Sequence, residues 1–213
     1  MDGLVLDSES GYFSAWQQAA KEMGFTLSPN FCESLSGQHG HIITQRLFDY
    51  CGTNFDIERF YRLSGELWRD MVQRHGIPVK SGFYELLEFI RAQDMPYALA
   101  TNSRKTDAEQ CLNWAGLDGV FPTMVCRDDV SNPKPAPDIF IKSAEALGLA
   151  RSDCLVLEDS PVGIAAAVAA TCPCIFVPSL LPADPMAARQ ANWLMQDLAQ
   201  VADFISARFN DPL

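Results

Sequence analysis

Residues able to do chemistry gather after three short apolar runs in this chain. Thr101-Asn102-Ser103 follows the run from Tyr97 to Ala100, Arg127-Asp128-Asp129 follows Thr123 to Cys126, and Glu158-Asp159-Ser160 follows Cys154 to Leu157. A hydroxyl turn leading into a helix offers donors to an anion, reinforced by the positive end of the helix dipole. Adjacent carboxylates after a strand can hold a hard divalent cation through oxygen. Each group also has a plainer reading. Thr, Ser and Asn after a strand cap the next helix, and Glu-Asp before a helix complements its dipole. Between these groups lies Ser131-Asn-Pro-Lys-Pro-Ala-Pro-Asp138, whose alternating prolines stiffen the loop and hold Lys134 as a placed cation rather than a solvated one. Asp2-Gly3, taken alone, reads as a turn.

The elements that must position these residues fall into two patterns. From Gly11 to Arg74 the periodicity is helical. Phe13, Trp16, Ala20 and Met23 recur at helical spacing and Gly24 is a stop, and His41–Tyr50 and Ile57–Arg74 read as two further helices. From Gly82 onward helices alternate with short apolar strands. The helices are expected at Phe83–Ala92, Thr106–Trp114, Asp138–Leu147 and Pro161–Ala170, and the strands at 97–100, 123–126, 154–157 and 174–177. Such alternation predicts a parallel sheet covered by helices. Ligands of such sheets bind beyond the carboxyl ends of the strands, where the polar triplets stand.

Composition narrows the partners. The formal net charge is −11, so binding to nucleic acid or to an anionic membrane is not expected. A chain this acidic must concentrate positive charge locally, or recruit a metal, if it is to hold an anion. The cysteines number seven, form no CxxC pair and lie mostly in apolar runs, which predicts free thiols in a reducing, cytoplasmic setting. No apolar run approaches the roughly 20 residues of a membrane span, and Asp2, Asp7 and Glu9 do not suit a signal peptide.

Taken together, the segments resemble the motifs of the haloacid dehalogenase (HAD) superfamily, in the subgroup of β-phosphoglucomutase and many sugar-phosphate phosphatases. Asp2-Gly-Leu-Val-Leu-Asp-Ser-Glu9 resembles the family's D-x-D-G-x-L-x-D-S-E from its second Asp onward. Thr101-Asn-Ser, Lys134 in Lys-Pro-Ala-Pro-Asp-Ile-Phe, and Glu158-Asp159-Ser-Pro-Val-Gly resemble the second, third and fourth motifs, in order. The resemblance implies an α/β, Rossmann-like core with a parallel sheet (residues 1–9 and 80–213) and an all-helical cap domain inserted after the first motif (10–79). It implies Mg²⁺, an aspartyl-phosphate intermediate and a small, sugar-phosphate-like substrate. Asp2 would be the general acid/base, with Thr101 and Lys134 as its catalytic partners. Gly3, Thr101, Asn102, Ser103, Lys134 and, from the cap, Arg46 would bind phosphate or substrate. Asp2, Glu158 and Asp159 would hold the metal. A monomer or weak homodimer is expected.

One part of the pattern is not matched. The attacking Asp of the family stands two positions before Asp2, and Met1 is only one position before it. The apolar run that forms the central strand should precede it. A start upstream of Met1, a non-catalytic relative whose sheet is completed otherwise, and a truncation all account for this. Unless the sheet is rearranged or completed by another chain, losing that strand should leave its two neighbours with unpaired backbone groups around a slot. Within the subgroup, mutases carry His where this chain has Tyr12, and Lys and Arg where it has Ser36 and Gly40, which favours hydrolysis over phosphoryl shuttling. His39 and His41 are expected as cap-loop residues. A metal- or phosphate-binding protein without turnover is the remaining alternative.

Overall fold

The computed structural model describes residues 1–35 and 40–210. The chain divides into two compact units, Asp7–Ile77 and the combination of Met1–Leu6 with Pro78–Leu213.

The first unit is helical throughout its described residues. It contains α1 (Glu9–Glu22), α2 (Pro29–Glu33), α3 (Gly40–Cys51) and α4 (Ile57–His75). Local sequence sets the ends. Gly24 takes a positive φ of 85° just beyond α1, a conformation that glycine adopts without a Cβ penalty. The Ser28 hydroxyl accepts from the Phe31 amide at 3.2 Å, and an Asp56 carboxylate oxygen accepts from the Arg59 amide at 3.0 Å. Both are N-caps of the helices that follow. The expected helical face of α1 is the buried one. Ala19 and Ala20 are fully buried in a core with Leu27, Leu47, Phe55 and Phe60, small residues that let α1 lie close against α4. Tyr12 stacks on Trp68 at 4.5 Å between ring centroids, inclined by only 3°.

The second unit alternates as the sequence predicts. Its order is α5 (Phe83–Ala92), β1 (Ala98–Ala100), α6 (Lys105–Trp114), β2 (Thr123–Val125), α7 (Asp138–Leu147), β3 (Val156–Glu158), α8 (Pro161–Ala169), β4 (Cys174–Phe176), α9 (Pro185–Gln190), β5 (Trp193–Leu194) and α10 (Leu198–Asn210). The pairings β1–β2, β3–β4 and β4–β5 are all parallel. The main core gathers Val125, Ile139, Phe140, Val156, Ile164 and Phe176, among others. Among the described residues no helix is long and apolar enough to cross a membrane.

The strands form two sheets rather than one: β1–β2, and β3–β4–β5. Between the facing edges of β1 and β3 lies a cavity of about 540 Å³. This is the slot expected from the sequence. Burial reflects it: β4, paired on both sides, is buried at every residue, whereas β1 and β3 each keep partly exposed positions. The deficit is confined to those two edges, because each half-sheet retains its own helices.

The backbone special to this unit is Gly82, which precedes α5 at φ 81°. A Cβ there would collide with the backbone of Leu198 and Ala199 at the start of α10. Gly148 has a similar φ of 70° but open space around it. Gly148→Ala should therefore cost only the left-handed penalty of about 1–2 kcal/mol, and Gly82→Ala clearly more, since steric overlap adds to the same penalty. Urea midpoints of the two variants check this, and equal losses would show that the α5–α10 approach is not tight.

Candidate active site

The carboxyl ends of β1 and β3 carry the polar residues singled out by sequence, and Lys134 joins them. Its ammonium forms an ion pair with Glu158 Oε1, donates to the Ala100 carbonyl at 3.1 Å and stands 4.8 Å from the centre of the Phe140 ring. Both side chains of the pair are almost fully enclosed, at 7% and 6% exposure. The loop holds the lysine in place from both sides. The Lys134 amide donates to Asn102 Oδ1 at 3.0 Å, and the Asn102 side-chain amide donates to the Lys134 carbonyl at 3.4 Å. At the far end, Asn132 donates through its backbone and side-chain nitrogens to Asp138 Oδ2, at 3.2 and 3.1 Å. Asn102 thus positions the lysine through its side chain.

Glu158 has little capacity left for another partner. Its second oxygen accepts from the amides of Asp159 and Ser160 at 3.1 and 3.3 Å and from the Ser160 hydroxyl at 3.1 Å. Burial opposes ionisation of this carboxyl, but the Lys134 ammonium overrides it and holds the group below the usual carboxylate range. Asp159 behaves oppositely. Burial and the negative charge of Glu158 push its carboxyl up to about 6, against the pull of the chain's amino terminus and a hydrogen bond from Ser179. Asp159 therefore has too little positive charge around it.

The remaining residues complete a rim. Gly3 has φ 75° and lies so close to the Asp159 carboxylate and Ser179 that a Cβ there would overlap them. The Ser103 hydroxyl and the Asp2 carboxylate are 3.3 Å apart in a hydrogen bond. Thr101 is buried; its amide pairs with the Val125 carbonyl at 3.0 Å and its hydroxyl accepts from the Ser103 amide at 3.1 Å. The other acidic triplet, Arg127-Asp128-Asp129, has the plainer role. Asp128 accepts from the Lys105 amide at 2.9 Å at the start of α6, and Asp129 from the Cys126 amide at 2.9 Å. Arg46 belongs to the helical unit, where it donates to the Ser34 carbonyl and hydroxyl at 2.6 and 2.8 Å. His41 is exposed on α3, and Ser36 and His39 lie outside the described residues.

Two contributors enter the sequence reading only as part of the Glu158-Asp159-Ser-Pro-Val-Gly segment, without a role, and a third, Ser179, is not singled out there. Ser160 donates to Glu158, Ser179 to Asp159, and Gly163 leaves the space that the Glu158 carboxylate occupies. Ser160-Pro161 does carry a readable signal, an N-cap followed by proline at N1. Ser179 carries none, since it arrives from beyond β4.

Oxygen donors dominate the site, as a hard divalent cation requires. Among the described residues, no group of three or more His, Cys, Asp and Glu side chains is gathered closely enough to form a complete metal cage. The charge-poor Asp159 carboxylate, beside the Asp2-Gly3 backbone, still fits a cation held by few protein ligands and several waters, the habit of Mg²⁺.

A parallel α/β unit with a lysine, paired acids and hydroxyls at its strand ends, interrupted by a helical insert, defines a class of Rossmann-like hydrolases. The family model described as haloacid dehalogenase-like hydrolase matches residues 1–177, and the chain belongs to that family. It is 30% identical over 172 residues to the fructose-1-phosphate phosphatase YqaB of Escherichia coli, covering 80% of this chain and 89% of that protein. It is also 30% identical over 204 residues to hexitol phosphatase A of the same organism, with 94% and 90% covered. The crystal structure of a HAD family hydrolase from Deinococcus radiodurans with bound phosphate and sodium superposes with a TM-score of 0.83 at 23% identity, covering 97% of this chain and 93% of that one.

The Lys134–Glu158 pair generates a test by double-mutant cycle. Glu158→Gln leaves an ammonium buried without its counter-charge and should cost about 3–5 kcal/mol. Glu158→Gln combined with Lys134→Met should cost less than that single change. Denaturant titration reads both, and additive losses would show that the two groups do not depend on each other.

Proposed function

We propose that this chain is a Mg²⁺-dependent phosphatase acting on a small phosphorylated metabolite of the sugar-phosphate kind, through an aspartyl-phosphate. The observation that carries this reading is the buried Lys134–Glu158 pair set beside the charge-poor Asp159 at the ends of β1 and β3. The phosphatase names of the relatives at 30% identity support it. A carboxylate attacks phosphorus only where repulsion between the two anions is neutralised. Lys134 supplies one positive charge, and its stiff loop keeps that charge from relaxing away. Asp159 would hold Mg²⁺ together with the Asp2 backbone carbonyl, and Glu158 would act on it through water, since its own oxygens are engaged. When bound, the metal supplies the second positive charge on the phosphoryl oxygens.

The reaction then divides between this chain's residues. Thr101, Asn102, Ser103 and Gly3 cradle the phosphoryl oxygens. Asp2 gives its proton to the leaving alkoxide as the bond to phosphorus breaks. The resulting Asp2 carboxylate takes a proton from water, which attacks the acyl phosphate and releases inorganic phosphate. The attacking carboxylate belongs two positions before Asp2, and none of the 213 residues occupies that place. The helical unit serves as the cap that selects substrate, with Arg46 as its cationic candidate. Hydrolysis is preferred to mutase chemistry because Tyr12, at the position where mutases carry His, is stacked on Trp68. The cytoplasm suits the thiols. All seven cysteines are free, and burial pushes Cys32 and Cys111 up to about 11.

Hydrolysis of p-nitrophenyl phosphate with Mg²⁺ tests the reading. The 213-residue chain should be inactive, and the same chain with an apolar leader ending in Asp fused to Met1 should turn over. Equal turnover by both would refute the assignment of the nucleophile. In the active form, Asp159→Asn should raise the Mg²⁺ needed for half-maximal rate by about tenfold or more. An unchanged Mg²⁺ dependence would remove Asp159 from the metal site.

A further inference from the structure

The segment from Ser160 to Ala183 contains no Asp, Glu, Lys, Arg or His, although 20% of the whole chain is charged. It includes α8, whose inner face buries Gly163, Ile164, Ala166 and Ala167. The outer face is apolar as well, with Val162 and Val168 each 43% exposed. A helix that is apolar all round is ordinarily enclosed by protein all round. The neighbouring surface continues the pattern. α9 packs beside α8 and turns Ala187, Ala188 and Ala191 to the core. Leu180 and Leu181, in the connection ahead of α9, and Met186 on it stay exposed, the last two at 84% and 70%. Single exposed apolar side chains are ordinary, whereas a group of them on adjoining elements marks a contact surface.

What covers this face follows from charge. The chain carries a net −11, so two copies repel over most of their surface, and the neutral segment is where they approach at least cost. An anionic membrane is repelled by the same charge. A lasting interface hides about 800 Å² on each partner, more than a few aliphatic side chains supply, so a polar rim must complete it. α9 provides a rim of both signs. Asp184 stands at its start, where Oδ1 accepts from the Met186 and Ala187 amides, and Arg189 lies in its last turn. Both are exposed, and Arg189 enters no ion pair among the described residues. Met186 lies between them. Such an order is self-complementary. Turned about a two-fold axis near Met186, a second α9 runs antiparallel to the first and sets its Asp184 against Arg189 and its Arg189 against Asp184. The two charges are ~7.5 Å apart along the helix at ~1.5 Å per residue. Packed helices lie about 8–10 Å apart, a gap that an arginine side chain spans.

We propose that the face formed by α8, α9 and the Leu180-Leu181 connection is a two-fold contact between copies of this chain. Met186 is at its centre, and Asp184 and Arg189 pair across its rim. A face of this size gives a reversible dimer rather than a permanent one. The contact stands apart from the phosphatase reading and does not depend on it.

Sedimentation equilibrium of the 213-residue chain, from micromolar to millimolar concentration, tests this. A monomer–dimer equilibrium is expected. Met186→Asp should raise the dissociation constant by about 30-fold or more, as loss of a central contact does. Arg189→Glu should raise it by about tenfold or more, because it sets like charges opposite each other twice. Tyr84→Asp, which places the same new charge at an exposed position on α5, should leave it unchanged. A monomer at every concentration would overturn the proposal, as would a dimer that Met186→Asp and Arg189→Glu leave intact. Equal weakening by Tyr84→Asp would overturn it too, and so would growth past the dimer into an open series, since a two-fold contact closes on itself. Binding of the monomer to neutral phosphatidylcholine vesicles, lost in Met186→Asp and without any dimer, would assign the face to a membrane instead.

Discussion

A lysine ammonium enclosed at the end of a parallel sheet needs an anion beside it and donors behind that anion, and much of this site follows from that requirement. Glu158 is the anion, and the amides of Asp159 and Ser160 with the Ser160 hydroxyl are the donors. Uncompensated, either charge would destabilise the core by several kcal/mol. The pair constrains its neighbours in turn. Gly163 has no side chain because the carboxylate fills that space. Phe140 offers its ring face to the ammonium. Asn102 ties the lysine's backbone to the end of β1. A chain with a net charge of −11 thereby keeps a cation fixed where an anionic ligand would approach.

The same lysine touches the weak point of the sheet. Ala100, whose carbonyl it binds, is the last residue of the β1 edge that faces the slot. Unpaired backbone groups in an apolar cavity each cost about 1–3 kcal/mol, and a side-chain donor relieves only the outermost. The placement of Lys134 and the open edge of β1 are therefore linked at one atom. The carboxyl ends of β1 and β3 are where the ligand site must be, and their mutual spacing depends on what lies between them.

How far the sequence announced this follows from which interactions are local. The helices α5 and α7 have the expected limits because their apolar spacing, glycines and prolines are local signals. Strand β3 does not. Its apolar run begins at Cys154, but pairing starts at Val156, because Pro173 has no amide to donate to the preceding turn of the ladder. The short α2 and α9 went unread although Ser28-Pro29 and Asp184-Pro185 mark their starts; the Asp184 carboxylate accepts from the Met186 and Ala187 amides at 3.0 and 2.8 Å. Lys134, Glu158 and Asp159 were legible as types at strand ends. That Glu158 is spent on Lys134, leaving Asp159 as the open carboxylate, was not legible, since it depends on distances across 24 residues of chain.

The charge around Asp159 sets what the site can accept. Its carboxyl is raised by burial and by the negative charge of Glu158, and the Lys134 ammonium is already committed to Glu158. The two adjacent carboxylates therefore have different capacities, although the sequence presents them as a matched pair. Glu158 is saturated by an ammonium, two amides and a hydroxyl, whereas Asp159 gains from any cation brought to it. Under the function proposed above, a divalent ion with oxygen ligands meets that condition, and the Lys134–Glu158 pair leaves room for it because the lysine's charge is spent on its own partner.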